Sequence, residues 1–575
     1  MLRKEQIGGE RRKIICQLSC DIVFIGSRGV FMGKRFAILV VILVIAGAVL
    51  GGLFGRMPLR ASASDTTTPA RVLGDYRETI DLIDKNYIGP VDHEKVTDSS
   101  VQGMLWTLDP HSSFFTRAEF NKLYEEQSSQ FYGIGVSILQ HRDGVYVQSV
   151  IPNTPADKAG LKYGDRFVMV DGKDAHDWTS AEVSKNVRGE KGTSVKVRVE
   201  RVGTSQPIDL EITRGGVPLP SIRNYFMLPN GVGYVGLNGG FQETTVAELD
   251  EAVGNLRKQG LKSLILDLRG NPGGILEQAV QVVSRFVPAS KTVVSVKGRT
   301  NYAQSRELLS EGGEVDDVPL VVMINGGSAS ASEIVAGALQ DYGRAVVVGS
   351  DSFGKGLVQR IYPLPFGTGI TLTTARYYTP FGRSLQRDYS NGSIYDYYVH
   401  EQENEGDNSL PVPTGSPVMT GNGRTLYGGR GIEPDIKTPA LTFTPLRSRL
   451  NEEAFYFARQ LVAAKVAGFE NLKADKQNFT TTVGDGDFQI SDKLLDAFRN
   501  FTTSDAKSGL TAENFNSQIE YAKTRLRMEL ATANYSNEAG VQVLLENDPQ
   551  VAKAIDAMPQ AVRARQTVAY SRPAK

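Results

Sequence analysis

Cysteine is almost absent from this chain: of 575 residues only Cys16 and Cys20 carry a thiol, and both lie in the first few dozen positions. Any domain beyond them therefore has no disulfide, no thiolate nucleophile and no cysteine metal site. Histidine is nearly as scarce, with His93, His111, His141, His176 and His400 the whole supply. Chemistry that needs an imidazole has only His400 to draw on after residue 177. Net charge is missing too. Lysine plus arginine number 64, as do aspartate plus glutamate, so no long-range field points to nucleic acid as a partner.

Long apolar runs are confined to one. Phe36 to Phe54 is uncharged and has about the length that spans a bilayer. Lys34 and Arg35 precede it, with Arg28 and Arg11-Arg12-Lys13 further back. By the positive-inside rule residues 1–35 stay cytoplasmic and the C-terminal bulk is exported. The run reads as a retained single-pass anchor, with Ala61-Ser62-Ala63 as the signal-peptidase alternative. The expected location is the inner membrane, with the bulk of the chain in the periplasm or another extracytoplasmic space.

A chain of this length forms roughly three or four domains rather than one. Residues 55–70 read as a polar linker and 71–128 as a helical region, with Tyr76, Ile80, Leu82, Ile83 and Tyr87 on one side. Asp109-Pro110-His111-Ser112 breaks that pattern, and beside the proline His111 reads as a capping or packing residue. Residues 129–215 are β-rich. They carry Gly133-Ile134-Gly135-Val136, Pro155-Ala-Asp-Lys-Ala-Gly-Leu161 and Gly164-Asp165. This unit resembles a PDZ domain, in which a glycine-flanked loop offers N–H groups to a peptide carboxylate and an edge strand accepts the peptide. The resemblance makes Gly133, Ile134, Gly135 and Val136 the candidate peptide-binding loop, and substrates with free C-termini the expected partners.

Residues 216–440 alternate strands and helices, which predicts layered sheets. Val321-Val-Met-Ile324 breaks at Asn325-Gly326-Gly327, and Ser328-Ala-Ser-Ala-Ser332 leads into an apolar helix beginning near Glu333. A serine at a helix N-terminus sits where backbone N–H groups and the dipole favour an oxyanion, or where it simply caps the helix. Several other signals fail. Gly270-Asn271-Pro272-Gly273-Gly274 has proline where a nucleophilic serine turn would need serine. Gly349 to Lys355 resembles a phosphate-binding loop, but Gly356 stands where serine or threonine would hold magnesium. Ser352-Phe-Gly-Lys355 matches S-x-x-K, yet its glycines oppose the helical turn that signature needs. What remains is Lys355, which can act as a general base if burial lowers its pKa.

Ser328-Ala-Ser-Ala-Ser-Glu333 with Phe353-Gly-Lys-Gly-Leu-Val-Gln359 resembles the carboxy-terminal processing, or tail-specific, serine peptidases. The likeness covers roughly residues 72–440. It takes in Leu108-Asp-Pro-His-Ser112, Leu266-Asp-Leu-Arg-Gly-Asn-Pro-Gly-Gly274 and Arg376 to Gln386. It implies a multidomain α/β fold: a layered peptidase core of the crotonase or Clp-protease type, an inserted β-rich PDZ domain, and helical N- and C-terminal parts. It implies a serine endopeptidase that cleaves near C-termini or in unfolded segments. Ser330 would be the nucleophile, Lys355 the general base and Gln359 its positioning partner. The oxyanion hole would use the N–H of Ala331 and one from Gly273 or Gly274. No cofactor or metal is implied. Phe381 departs from the small residue common in the Tyr-Thr-Pro-x-Gly-Arg motif and is expected to alter a pocket wall. The alternative from another class is a non-catalytic PDZ adaptor on an inactive core. Residues 441–575 are polar and helical; they read as a docking or self-association module or, more simply, as a solvated appendage.

Overall fold

The structure, a computed structural model, describes residues 68–127, 129–299, 304–390, 397, 415–420, 423–440 and 442–567. The expected membrane run 36–54, both cysteines and His400 lie outside the described residues. No helix among the described residues is long and apolar enough to cross a membrane.

The described residues fall into two compact units, divided between His93 and Glu94. In the first, helix Pro69–Asn86 starts at an N-cap Thr68 whose side chain accepts from Arg71, with proline at the first helical position. The helix buries none of its side chains, so the apolar stripe read from the sequence lies exposed at Tyr76 and Leu82.

The second unit is built on a six-stranded sheet. Its order is Ile222–Leu228, Val232–Leu237, Ser263–Asp267, Leu320–Ile324, Ala345–Gly349 and Ile436–Lys437. The first pair is antiparallel and the others are parallel. These strands read as continuous apolar runs because both faces are covered. Leu264, Leu266, Leu320, Val322 and Ile324 face helices Thr245–Lys258, Leu276–Ser284 and Ala331–Asp341. Ile265, Val321 and Met323, the alternate positions, face a different core. A second sheet contains Leu357–Pro363, Gly369–Tyr378, Thr292–Gly298, Arg306–Leu309 and the short strand Ser113–Phe115. It follows directly from the Lys355 segment, so that segment leads into a strand rather than the helix a phosphate loop would require.

The β-rich unit orders Val136–His141, Gly144–Val150, Arg166–Val170, Ser194–Glu200 and Ile208–Thr213 side by side. Helix Ser180–Val187 packs on it through Val183 and Val187 and carries a capping box between Thr179 and Glu182.

The C-terminal region is not a solvated appendage. Helices Pro445–Val462, Asp492–Ser504, Ala512–Asn516 and Ile519–Asn534 bury Phe455, Phe457, Phe498 and Phe515 in a core that also takes Tyr146 and Tyr163 of the β-rich unit. Each such ring contributes about 1.5–3 kcal/mol relative to exposure. Helices Pro549–Asp556 and Met558–Thr567 supply the other core: Val551, Ala554, Ala557, Met558 and Ala561 cover Ile265, Val321, Met323, Val346 and Val348. The polar faces that dominate this region's sequence hide the narrower apolar stripes that do this packing.

Candidate active site

Strand Leu320–Ile324 ends in a turn whose polar side chains are used for fixing rather than for solvation. Asn325 Oδ1 accepts the N–H of Gly327 at 3.0 Å and of Gly270 at 2.9 Å. Ser328 Oγ accepts from Asn325 N–H and donates to the Leu268 carbonyl at 2.8 Å. Ser332 Oγ donates to the Asn271 carbonyl at 2.9 Å. The outer two serines of the run are thus committed to stitching residues 268–271 and 325–332 together.

Ser330 differs from both. It precedes helix Ala331–Asp341 with φ 54° and ψ −111°, a conformation that costs a non-glycine residue on the order of 1–3 kcal/mol. Ser330 stands at a sharp strand-to-helix turn, the position a nucleophile takes at such an elbow. It is held there by its own N–H, which donates to Glu333 Oε2 at 2.9 Å.

Glu333 is fully buried. Besides Ser330 it accepts from Ser352 Oγ, from Gly354 N–H at 2.7 Å and, on the same Oε2, from Lys355 N–H at 2.8 Å. Burial pushes its carboxyl up from 4.5 while these donors pull it down. All four partners donate, as the ionised form requires. The backbone nitrogens of Ser330 and Lys355, bonded to one oxygen at 2.9 and 2.8 Å, are at most about 5.7 Å apart, the two lengths end to end. Burial lowers the Lys355 ammonium below its ordinary 10.5, while the charges of Glu333 and Asp109 oppose that shift.

Turn 270–274 lies against Ser330. Gly273 has φ 100°, and a Cβ there would stand 2.7 Å from Ser330 Cβ and 3.0 Å from the Ala331 nitrogen. Its own N–H donates to Asn271 Oδ1 at 2.9 Å. Gly274 forms a parallel bridge with Phe241, made through the Gly273 carbonyl and the Ile275 N–H. In such a bridge the residue's own N–H points the other way. Neither the N–H of Gly274 nor that of Ala331 has a partner among the described residues.

Gln359, in strand Leu357–Pro363, donates to Thr373 Oγ1 at 3.2 Å. Thr373 Oγ1 donates in turn to Asp109 Oδ1 at 3.0 Å, and its N–H to Ser112 Oγ at 3.1 Å. Asp109 also accepts the N–H groups of His111 and Ser112. His111 packs edge-on to Tyr397, with Nε2 2.9 Å from the tyrosine oxygen. Burial, then the charge of Lys355, pull its pKa down to about 3 against the opposing charge of Asp109, which keeps the imidazole neutral. The ring of Phe381 packs edge-on to Tyr342 at the margin of the core, and its N–H donates to Asp341.

Sequence reasoning passed over Glu333, Asp109, Thr373, Asn271 and Asn325. Glu333 carried a usable signal, since it lies three residues after Ser330 at capping-box spacing. The others are common turn and strand residues whose roles arise only from tertiary contact.

In the β-rich unit, Val136–His141 is an edge strand, paired only with Gly144–Val150. Gly133 pairs with Gly215, Ile134 is buried, and Gly135 has φ 89° with no room for a Cβ beside Thr154. The N–H groups of Ile134 and Gly135 have no partner among the described residues.

Comparisons with known proteins agree with this architecture. The family model described as peptidase family S41 matches residues 231–399, and that described as PDZ domain matches 133–212. A carboxy-terminal-processing protease of Bartonella bacilliformis is 35% identical over 350 residues, 60% of this chain and 80% of that protein. The carboxy-terminal processing protease CtpA of Bacillus subtilis is 32% identical over 356 residues, 62% of this chain and 75% of that protein. The solved structure of a photosystem II D1 C-terminal processing protease is 27% identical, covering 64% of this chain and 86% of that one at a TM-score of 0.34. Fold and relatives define a serine peptidase with a PDZ domain. The chain belongs to peptidase family S41, among the carboxy-terminal processing proteases.

Proposed function

We propose that the chain hydrolyses polypeptides with a Ser330–Lys355 dyad, taking substrates by their free C-termini or through unfolded segments. The observation that carries this reading is the shared Glu333 oxygen, which holds the backbones of Ser330 and Lys355 side by side while Lys355 is desolvated. Neutral Lys355 Nζ takes the hydroxyl proton as Ser330 Oγ attacks the scissile carbonyl. The oxyanion is received by the N–H of Ala331 and of Gly274, neither of which has a partner among the described residues. Loss of one such donor costs about 2.7–4 kcal/mol of transition-state stabilisation. Lys355 then returns the proton to the departing amine, and water attacks the acyl-enzyme with Lys355 again as base. Gln359, steadied by Thr373 and Asp109, fixes the lysine's surroundings.

Substrate capture is assigned to the PDZ domain. The unpartnered N–H groups at Ile134 and Gly135 receive the terminal carboxylate, with Gly133 and Val136 flanking them, and the peptide adds to edge strand Val136–His141. The reading that this activity lies on the outer side of a membrane rests on the apolar run Phe36 to Phe54 behind Lys34 and Arg35.

The deciding experiment uses purified full-length chain and an unfolded protein with an apolar C-terminus. Ser330→Ala and Lys355→Ala are each expected to abolish cleavage while leaving the melting temperature near wild type. Cleavage retained by Ser330→Ala would sink the dyad. Altering the Gly133–Val136 loop is expected to slow cleavage of tailed proteins more than of short peptides, and equal loss on both would sink tail capture.

A further inference from the structure

The turn that faces Ser330 is not fixed by the peptidase core alone. Arg269 stands at its entrance, just after strand Ser263–Asp267. On one side its guanidinium meets Asp267, with Nη2 2.7 Å from Oδ2, and Asp267 also accepts the Tyr234 hydroxyl at 2.7 Å. On the other side Nη1 donates to Asp548 Oδ2 and to Gln550 Oε1, both at 2.7 Å. Those acceptors lie 279 and 281 residues away, in the C-terminal region.

Asp548 and Gln550 are themselves immobilised. Asp548 is the N-cap of helix Pro549–Asp556, and its Oδ1 accepts the Gln550 N–H at 2.8 Å. Gln550 Nε2 donates to the carbonyl of Thr438, next to the last strand of the sheet. Val551 and Ala554 of the same helix are buried on that sheet. The helix is thus a rigid post, and Arg269 spans from it to the strand that feeds the turn. A guanidinium gripped on both edges by charged and amide oxygens has one orientation, because its donors form a planar fork.

We infer that the C-terminal region is part of the peptidase's working site: Asp548 and Gln550, through Arg269, position the turn that carries Gly274. The inference rests on the proposed role of Gly274 as an oxyanion donor. Asp548 and Gln550 touch no reacting atom and are positioning residues. Arg269 keeps Asp267 when Asp548 is lost, so its buried charge stays compensated and the fold survives. What is lost is the far anchor of the turn.

The test separates capping from anchoring. Serine caps a helix as well as aspartate does but is too short to reach Arg269, so Asp548→Ser removes only the anchor. In the full-length chain, kcat on an unfolded protein with an apolar C-terminus is expected to fall about tenfold with KM within about twofold. That is part of the ~10²-fold or more that outright loss of a donor costs. The rate at which a fluorophosphonate labels Ser330 should fall by the same factor. Kcat and labelling both within twofold of wild type would overturn the inference, as would a loss that only tracks the folded fraction in a thermal melt. Should Asp548→Ser not fold, Gln550→Ala decides by the same two readouts. Failure of the dyad reading is seen separately, as a wild-type protein that the probe does not label at Ser330.

Discussion

Gly273 is packed so closely on Ser330 that a methyl group at position 273 would stand 2.7 Å from the serine Cβ. It also has a φ of 100°, which an alanine adopts only under strain. Gly273→Ala is therefore expected to displace either the serine or the 270–274 turn. A ~1 Å misplacement of reacting groups can cost about a hundredfold in rate. A kcat reduced by that order, with circular dichroism unchanged, is the expected outcome; a rate within threefold of wild type would show that the turn yields without moving Ser330.

Glu333→Gln tests the shared oxygen. Each oxygen accepts from two donors, so an amide nitrogen would face two of the four, leaving them unmatched at about 1–3 kcal/mol each. The variant also removes a negative charge that raises the Lys355 pKa. The acid limb of its pH–rate profile should therefore move to lower pH, even as kcat falls. A lowered rate with an unmoved limb would confine Glu333 to holding the backbone.

Lys355 gives the wild-type profile its sign. The base must be neutral, so kcat/KM rises as pH rises through the lysine's pKa, and burial puts that midpoint below 10.5. Lys355→Arg keeps the charge but cannot lose it, because guanidinium stays protonated throughout the working range. It should be inactive at every pH. Activity recovered by the arginine variant would remove the lysine from the role of base.

His141 predicts an acid sensitivity at the contact between the PDZ domain and the C-terminal helices. Its ring stacks on Phe455 at 4.0 Å, with Asp143, Glu452, Arg142, Arg459 and Arg525 around it. Burial lowers its pKa from 6.5 to about 4. The unfolded chain binds the proton more readily, so this stability is complete above about pH 6.5 and is lost as pH falls towards 4. The full effect is about 3 kcal/mol. His141→Phe keeps the stack and removes the titration. Its melting temperature should fall less than that of wild type between pH 7 and 4.5, and parallel declines would show that the histidine is not responsible.

Much of the peptidase core is legible in the amino-acid pattern. Leu320–Ile324 falls where the apolar run places it, and helix Ala331–Asp341 covers the apolar stretch expected to be helical from near Glu333. These elements are read from local periodicity, and a sheet buried on both faces leaves a strong signal. The C-terminal region is far less legible, because its apolar stripes are narrow and alternate with charge. Only their burial at Phe455, Phe498 and Val551 shows them to be core.

The sequence by itself determined which residues are candidates for chemistry: scarcity of cysteine and histidine left serine and lysine, and the family resemblance around Ser330 and Lys355 makes one of each the proposed pair. Tertiary structure alone decided how they are held. Glu333 gathers Ser330 and Lys355 onto one oxygen, Asn271 takes the Gly273 N–H while that of Gly274 has no partner among the described residues, and Asp548 reaches Arg269 across 279 residues. The physical reason is range. Periodicity and turn chemistry act over a few residues, whereas a hydrogen bond between distant segments exists only after the core has packed them together.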